Sequence, residues 1–425
     1  MDINELVIYR NLEHQELFEE MACLMGYASR EEKPDAFHCG GRLVELAVNY
    51  GFEGNLWHCF LAFCLANNEN AYTTTCEITG AAGGSLDELA REDCRIFKAL
   101  FDYDIRNLEP SGLWALMEDY KPARKDSRVF NRRVRNRIVN LAVQLEESAD
   151  AGEFQDHVVD FYREFGVGKF GLNKAFRIIE REEGQPVIID PIINVEHIYF
   201  KDIVGYELQK QKLIENTEAF VEGKEANNVL LFGDAGTGKS SSVKAVLNEY
   251  YGRGLRIIEV YKHQFKALSD VLEQIKDRNY KFIIYMDDLS FEEFEIEYKF
   301  LKAVIEGGVE TKPENILIYA TSNRRHLIKE TWNDRSDVQV DNGMHKSDTM
   351  EEKLSLVHRF GVTINYSKPT QKEYFDIAIE LCRRLGVELS DDEIKAEANK
   401  WELSHGGISG RTAQQFANYL AGQQK

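Results

Sequence analysis

The spacing of apolar and polar positions changes along this chain and divides it into parts. Up to about residue 190, segments such as LWHCFLAFCLA (56–66) and RNRIVNLAVQLEES (135–148) carry apolar side chains at helical spacing. Beyond a proline-containing break at 183–203, the short apolar runs NVLLFG, LRIIEVY, KFIIYMDD and ILIYATSN alternate with helical segments. This alternation is typical of a parallel sheet that is covered by helices on both faces.

These patterns predict an all-α N-terminal domain at residues 1–189 and an α/β core at 190–368. From Thr370 onwards the helical period returns, which predicts a small helical lid at 369–425. The polar, turn-rich stretch 334–352 before the lid predicts a mobile loop.

The clearest chemical signal is GDAGTGKS at 233–240, which lies between a predicted strand and a predicted helix. Its pattern GxxxxGK[ST] lets backbone N–H groups converge on phosphate oxygens at a helix N-terminus. Lys239 would then reach the β and γ phosphates of ATP, and the Ser240 hydroxyl would ligate Mg²⁺. The candidate nucleotide-binding residues here are Gly233, Asp234, Ala235, Gly236, Thr237, Gly238, Lys239, Ser240 and Ser241.

Two adjacent aspartates end the apolar run KFIIYMDD. Asp287 fits the second ligand of Mg²⁺, because the carboxylate that completes such a site comes from the end of a neighbouring strand. Asp288 is then placed to activate the attacking water, with a plain turn-forming role as the alternative. Glu292 or Glu293 is a further candidate for the base, although both fit the solvated face of a following helix better.

The composition and charge of the chain disfavour two kinds of partner, nucleic acids and membranes. The formal net charge of -20 disfavours indiscriminate binding to nucleic acid. No apolar run approaches the ~20 residues of a bilayer span, and the N-terminus does not resemble a signal peptide. We therefore expect a cytoplasmic protein with no membrane partner. The basic stretch 121–137 fits a solvated helix face better than a nucleic-acid contact.

The chain has seven cysteines and no CxxC pair, so a disulfide framework is not expected. Several cysteines and histidines in the first hundred residues could in principle converge on zinc, but their spacing matches no closed zinc site and favours ordinary packing. They are His38, Cys39, His58, Cys59 and Cys64.

With both motifs placed, the chain resembles the AAA+ superfamily of P-loop ATPases. More narrowly, it is similar to a bacterial AAA+ family of unknown function. The resemblance spans about Ile203 to Leu420 and rests on VGYELQKQKLIENTEAF, NNVLLFGDAGTGKSSSVKAVLNEYY, MDDLSFE, YATSNRRHL, EKLSLVHRFG and SGRTAQQF. It implies a P-loop NTPase core with a parallel sheet and a C-terminal helical lid.

The resemblance also implies roles for residues outside the glycine-rich segment. Val204 and Gly205 match the adenine contact, and Asn323 matches the polar sensor that holds the attacking water. Arg359 matches the arginine finger that is usually projected into the site of a neighbouring subunit, and Arg411 matches the sensor on the lid. Arg324 and Arg325 compete with Arg359 for the finger. Plain structural roles stay open for these residues: a turn for Asn323, a surface ion pair for Arg359 and a helix brace for Arg411.

The function implied is Mg²⁺-dependent ATP hydrolysis by a homo-oligomer, a ring of six by resemblance alone, that remodels a protein partner selected by the N-terminal domain. A loader or remodeller on DNA and a slow nucleotide-gated switch stay open. Most active AAA+ proteins end the acidic strand in Asp-Glu, whereas this chain has Asp288 at the second position. That departure bears on the turnover rate more than on nucleotide binding.

Overall fold

The computed structural model describes residues 1–122, 132–182, 185–291, 297–306, 313–323, 327 and 356–423. These residues belong to two compact units. The first comprises Met1–Lys174 with Pro191–Asn194, and the second comprises Ala175–Asp190 with Val195–Lys425.

In the described part of residues 1–174, the regular elements of the first unit are helices, as predicted. Its helices are α1 (Gln15–Leu24), α2 (Ala36–Tyr50), α3 (Leu56–Asn67), α4 (Ala71–Thr79), α5 (Gly84–Asp102), α6 (Ser111–Glu118), α7 (Arg132–Glu147), α8 (Ala151–Phe165) and α9 (Gly168–Leu172). Every residue of α3 from Leu56 to Ala66 is buried, because this helix is apolar on all sides and forms the centre of the core. Asn55 begins α3 by accepting hydrogen bonds from the N–H groups of Trp57 and His58.

Five of the six cysteines of the first unit are buried, and Cys23 is half-buried. Cys39, Cys59 and Cys64 are buried, whereas His38 is exposed. Burial raises the pKa of the Cys59 thiol to about 12, so this group stays protonated at neutral pH. Among the described residues, no group of three or more His, Cys, Asp or Glu side chains could hold a metal ion.

The second unit contains a seven-stranded sheet. Its strands are β1 (Ala175–Ile179), β2 (Ile188–Pro191), β3 (Val229–Gly233), β4 (Leu255–Glu259), β5 (Lys281–Met286), β6 (Ile316–Ser322) and β7 (Val362–Tyr366). Their order in the sheet is β2-β1-β4-β5-β6-β3-β7, and every pairing from β1 to β7 is parallel. Parallel strands end at the same edge, so the residues after β3, β5 and β6 arrive close together.

Helices cover the sheet and complete the second unit. They are α10 (Glu207–Val221), α11 (Lys239–Tyr250), α12 (Leu268–Ile275), α13 (Glu297–Glu306), α14 (Gln371–Arg384), α15 (Asp391–Ser404) and α16 (Gly410–Gln423). All seven residues of β6 are buried, as is every residue of β5 after Lys281. Buried strands of this kind read as continuous apolar runs because both of their faces are covered. The predicted α/β core with helices is therefore confirmed.

The three C-terminal helices have a core of their own. Tyr374, Ile377, Ala413 and Phe416 are among the buried side chains that α14, α15 and α16 contribute to it. Thr370 begins α14 with a capping box: its hydroxyl accepts the N–H of Glu373, whose carboxylate accepts the N–H of Thr370. This is the helical lid that the sequence predicts after residue 368.

The start of the α/β core needs a correction. The sequence predicts a boundary at 189/190, but β1 lies before this boundary and β2 crosses it. Both strands belong to the sheet, so the sheet-bearing unit starts at Ala175. The run AFRII is short, and its pairing with β4 on one side and β2 on the other makes it a strand. The sequence analysis also missed β7, which pairs with β3. The predicted mobile loop at 334–352 lies outside the described residues.

Among the residues that the structure describes, no helix combines the length and the apolar character needed to cross a bilayer.

One buried carboxylate attaches the N-terminal segment to the first unit. Asp93 on α5 is only 1% exposed. Its oxygens accept the backbone N–H groups of Val7, Ile8 and Tyr9 at 2.9, 2.7 and 2.9 Å. Because an acceptor of this kind satisfies donors that water cannot reach, its loss is expensive.

We therefore expect Asp93→Ala to lower the free energy of unfolding by about 3 kcal/mol, because three N–H groups lose their acceptor. The matched control is Glu92→Ala on the same helix, which removes a carboxylate that pairs with the exposed Arg95 and should cost less than about 1 kcal/mol. Urea unfolding followed by tryptophan fluorescence measures both. Equal losses in the two variants would show that Asp93 does not hold the segment.

Candidate functional site

The glycine-rich segment forms a tight loop between β3 and α11. Gly233, Gly236 and Gly238 have φ values of 134°, 74° and 92°. Residues with a Cβ atom rarely adopt such angles, so this path of the backbone requires glycine at these positions. The loop ends where α11 begins at Lys239. The free N–H groups at the start of a helix favour anions, and phosphate is a suitable one.

The loop lies directly against the end of β7. A Cβ atom built on Gly233 would come within 2.2 Å of the carbonyl oxygen of Tyr366. The same carbonyl accepts the N–H of Asp234 at 3.0 Å, and the Asp234 carboxylate accepts the N–H of Lys368 at 2.8 Å. The first residues of the loop are therefore fixed by backbone contacts.

Lys239 points into the loop that it follows. Its Nζ donates to the carbonyl oxygens of Gly233 and Asp234 at 3.0 and 2.6 Å, and to Oδ1 of Asn323 at 3.1 Å. Burial lowers the pKa of Lys239 from its ordinary value, and the charges of Asp234 and Asp288 act in the opposite direction. A buried ammonium surrounded by oxygen acceptors can exchange them for the oxygens of a phosphate.

The Asp287 carboxylate follows β5 and accepts hydrogen bonds from three hydroxyl groups. Its Oδ1 accepts hydrogen bonds from Ser240 at 2.7 Å, from Tyr285 at 2.7 Å and from Thr321 at 2.5 Å. Burial acts to raise the pKa of Asp287, but these three hydrogen bonds outweigh it and leave the pKa below its ordinary value. Asp287 is therefore ionised at neutral pH.

Asp288 has a strained backbone that is held in place from β6. Its φ is 51°, in the left-handed region, which Asp tolerates better than longer or branched residues do. Its N–H donates to Oγ1 of Thr321 at 2.9 Å, and its Oδ1 accepts Nδ2 of Asn323 at 2.7 Å. Asn323 thus lies between Lys239 and Asp288 and bonds to both.

The lid reaches the loop through the start of α16. The N–H of Arg411 donates to the carbonyl oxygen of Gly236 at 3.1 Å. A Cβ atom on Gly236 would lie 3.1 Å from Cβ of Arg411, so the two backbones are in close contact. The positive charge of Arg411 also contributes to the lowered pKa of Lys239.

A cavity of about 800 Å³ opens beside these groups. Most of the predicted site residues line it: Val204, Ala235, Gly236, Thr237, Gly238, Lys239, Ser240, Ser241, Asp287, Asp288, Asn323 and Arg411. Gly205, Gly233, Asp234 and Arg359 do not line it. Gly233 and Asp234 contact β7 instead, and Gly205 has a positive φ in the turn before α10. Arg359 is half-buried ahead of β7.

The sequence analysis missed several residues of the site. They are Tyr285, Ile203, Thr321, Ile377, Leu381, Gln414, Gln415 and Asn418. Tyr285 and Thr321 each lie two positions before a predicted site residue, which places them on the same side of a strand. On α16, helical spacing from Arg411 identifies the three polar residues. No local signal identifies the apolar ones.

Four of the predicted alternatives cannot be placed. Arg324 and Arg325, the competing arginines, and Glu292 and Glu293, the alternative bases, all lie outside the described residues.

The residues of the site suit a magnesium-nucleotide ligand. The loop offers N–H groups and an ammonium, and the adjoining strand end offers a hydroxyl and an ionised carboxylate, which are the oxygen donors that Mg²⁺ prefers. The cavity is also lined by apolar residues, namely Ile203, Val204, Ile377 and Leu381. A cavity that offers both polar and apolar groups fits a phosphate chain joined to a base.

A parallel sheet with this loop between β3 and α11, an acidic end on β5 and a helical lid after β7 defines the AAA+ class of P-loop ATPases. Residues 172–424 match the family described as "Protein of unknown function (DUF815)", and the chain belongs to that family.

Two further proteins are similar to parts of the chain. A stretch of 71 residues is 37% identical to the replication factor C large subunit of Staphylothermus marinus and covers 16% of each chain. The RuvB Holliday junction branch migration motor of Thermotoga maritima is similar over 52% of this chain and 63% of its own, with 16% identity and a TM-score of 0.35. The chain thus matches less than two thirds of the length of either protein.

We expect Gly233→Ala to destabilise the second unit by roughly 3 kcal/mol, because the added Cβ atom meets a backbone carbonyl as well as an unfavourable φ. The matched control is Gly223→Ala, where φ is 74° and no atom lies within 4 Å of the added Cβ; it should cost only about 1 kcal/mol. Urea unfolding of both variants makes the comparison. Equal costs would mean that the contact with Tyr366 does not shape the loop.

Proposed function

We propose that this protein binds ATP together with Mg²⁺ and hydrolyses it to remodel a protein partner. The observation that carries the proposal is the hydrogen-bonded series Lys239, Asn323, Asp288 in the lining of the cavity. It brings a cation for phosphate, a polar side chain for the attacking water and a carboxylate for its proton to one place.

In this proposal the phosphates lie in the glycine-rich loop. Lys239 exchanges the carbonyl oxygens of Gly233 and Asp234 for phosphate oxygens, while the loop N–H groups and the start of α11 bind the remaining charge. Val204 and Gly205 are the proposed contacts of the base. This assignment is supported for Val204 by its place in the cavity lining.

The proposed metal ligands are Ser240 and Asp287, whose oxygens are already hydrogen-bonded to each other. When bound, Mg²⁺ offsets the negative charge that develops on the transferred phosphoryl group. The ionised state of Asp287 suits this role, because a carboxylate needs no proton removed before it ligates.

Asp288 is the proposed general base, and Asn323 orients its carboxylate. The left-handed backbone at this position favours Asp over the Glu found in most AAA+ proteins. The shorter side chain extends less far towards the cavity, which favours slow turnover and keeps a nucleotide-gated switch as the second candidate function.

Two arginines complete the proposal. Arg411, which lines the cavity from the lid, senses the γ phosphate within the same chain. Arg359, which lies outside the cavity lining, acts on the site of a neighbouring subunit in a homo-oligomer, a ring of six by resemblance. An arginine of this kind is worth roughly 10³ to 10⁵ in rate where it has been measured.

The helical first unit is the proposed selector of the protein partner in the cytoplasm. The local likeness to replication factor C, whose name refers to replication, is the observation that keeps a DNA-associated role as an alternative. The acidic net charge opposes it. ATPase rates measured with duplex DNA and with protein fractions separate the two: stimulation by DNA alone would overturn the protein-remodelling proposal.

We expect Lys239→Ala to abolish binding of ATP, because the phosphates lose the ammonium that opposes their charge. The control is Lys212→Ala on the exposed face of α10, which removes the same charge outside the cavity lining. Isothermal titration with ATP and Mg²⁺ measures the affinity. If the Lys239 variant binds ATP as tightly as the control does, the loop is not the phosphate site.

We expect the Arg359→Ala variant and the Asp288→Asn variant each to lack ATP hydrolysis when assembled alone. A mixture of the two kinds of subunit should recover part of the hydrolysis. In a ring, random mixing pairs an intact Asp288 with an intact neighbouring Arg359 at about one site in four. The ATPase rate is measured after the subunits are co-assembled. A mixture that stays as inactive as its components contradicts an arginine acting between subunits.

A further inference from the structure

The hydroxyl of Tyr285 is a polar group at the end of an otherwise buried side chain. Tyr285 is 5% exposed, and its OH reaches Oδ1 of Asp287 at 2.7 Å from two positions earlier on the same strand. A strand that only needed to fill the core could carry phenylalanine here, since the two side chains differ by this hydroxyl alone. The hydroxyl therefore calls for an explanation at the site.

Thr321 on β6 acts on both aspartates at once. Its Oγ1 donates to Oδ1 of Asp287 at 2.5 Å and accepts the N–H of Asp288 at 2.9 Å. Its carbonyl oxygen accepts the N–H of Leu289 at 2.7 Å. One residue of the neighbouring strand thus sets the direction of the Asp287 side chain and the path of the backbone that follows.

All the donors to Asp287 converge on one of its two oxygens. Within the described part of the chain, Oδ1 accepts three hydroxyl groups and Oδ2 accepts none. Ser240 can keep its hydrogen bond to Oδ1 while a lone pair of its oxygen ligates a metal, because a hydroxyl both donates and accepts. Tyr285 and Thr321 hold the same oxygen from the adjacent strands β5 and β6, whether or not a metal is bound.

We propose that Tyr285 and Thr321 are positioning residues that hold Oδ1 of Asp287 and leave Oδ2 directed at a divalent cation. The inference rests on the proposed function, because it assigns a purpose to these hydroxyls only if Mg²⁺ binds beside Ser240. Neither residue touches the nucleotide in this role. They act through Asp287, as hydrogen-bonding partners of metal ligands do in other proteins.

The first test is Tyr285→Phe, which removes one hydroxyl and keeps the ring. We expect the Mg²⁺ concentration that half-saturates both nucleotide binding and hydrolysis to rise roughly tenfold. Binding of a fluorescent ATP analogue in EDTA should stay unchanged, because Tyr285 does not line the cavity that would hold the nucleotide. The binding titration does not depend on turnover and is the primary measurement.

The matched control is Tyr319→Phe on the adjacent strand β6. Tyr319 is also fully buried, and its hydroxyl bonds to Thr217 and Asn216, away from the aspartates. The Tyr319→Phe substitution removes the same atom at a similar cost in stability. Because this hydroxyl does not contact Asp287, the Mg²⁺ requirement should stay at the wild-type value. An equal shift in both variants would show a general effect of core hydroxyls and would overturn the proposal.

The second test compares Thr321→Ser with Thr321→Val. Serine keeps the hydroxyl and should keep the wild-type Mg²⁺ requirement. Valine keeps the shape of the threonine side chain but lacks the hydroxyl, so the Mg²⁺ requirement should rise by more than it does in Tyr285→Phe. If Thr321→Val does not fold, the Tyr285 pair still decides the question.

The outcomes separate this inference from the proposed function. Suppose that the wild-type protein binds the analogue more tightly with Mg²⁺ and that the Tyr285→Phe variant needs the same Mg²⁺ concentration as the wild type. This result overturns only the positioning role. Wild-type protein whose affinity for the analogue is the same with and without Mg²⁺ overturns the proposed metal site and this inference together.

Discussion

One carboxylate oxygen joins the three elements that form the candidate site. Oδ1 of Asp287 accepts hydroxyls from α11, β5 and β6, so these elements can meet only in the arrangement that brings Ser240, Tyr285 and Thr321 to the same atom. Partial desolvation acts against the charge of this carboxylate, and the three hydroxyl donors offset it. The sheet order supplies the donors, because β5 and β6 are adjacent and end at the same edge.

The loop that holds the proposed phosphate site is fixed from two sides by backbone contacts. Tyr366, at the end of β7, accepts the N–H of Asp234 and leaves no room for a side chain at Gly233. The start of α16 donates the N–H of Arg411 to Gly236. The lid and the last strand therefore shape the loop through main-chain atoms. A shift of the lid relative to the sheet would change the contact with Gly236 directly.

Much of this architecture could be predicted from the sequence, for reasons that are local. The runs that became β3, β4, β5 and β6 are apolar because both faces of the sheet are covered, and the glycine pattern before Lys239 is demanded by backbone angles that other residues avoid. Strand β1 was missed because AFRII is too short to carry a periodic signal, and its pairing with β4 is a contact across about eighty residues. Strand β7 was missed for a similar reason.

The class of the protein, the loop at 233–240 and the two aspartates after β5 can be predicted from the sequence, because each of these depends on residue type and close spacing. The bridge that Asn323 forms between Lys239 and Asp288 is visible only in the folded chain. The tertiary structure also decided that Asp288 has a left-handed backbone and that Tyr285 and Thr321 hold Asp287. These contacts join different strands and a helix, and a hydrogen bond between distant residues depends on sheet order and register, which no local pattern encodes.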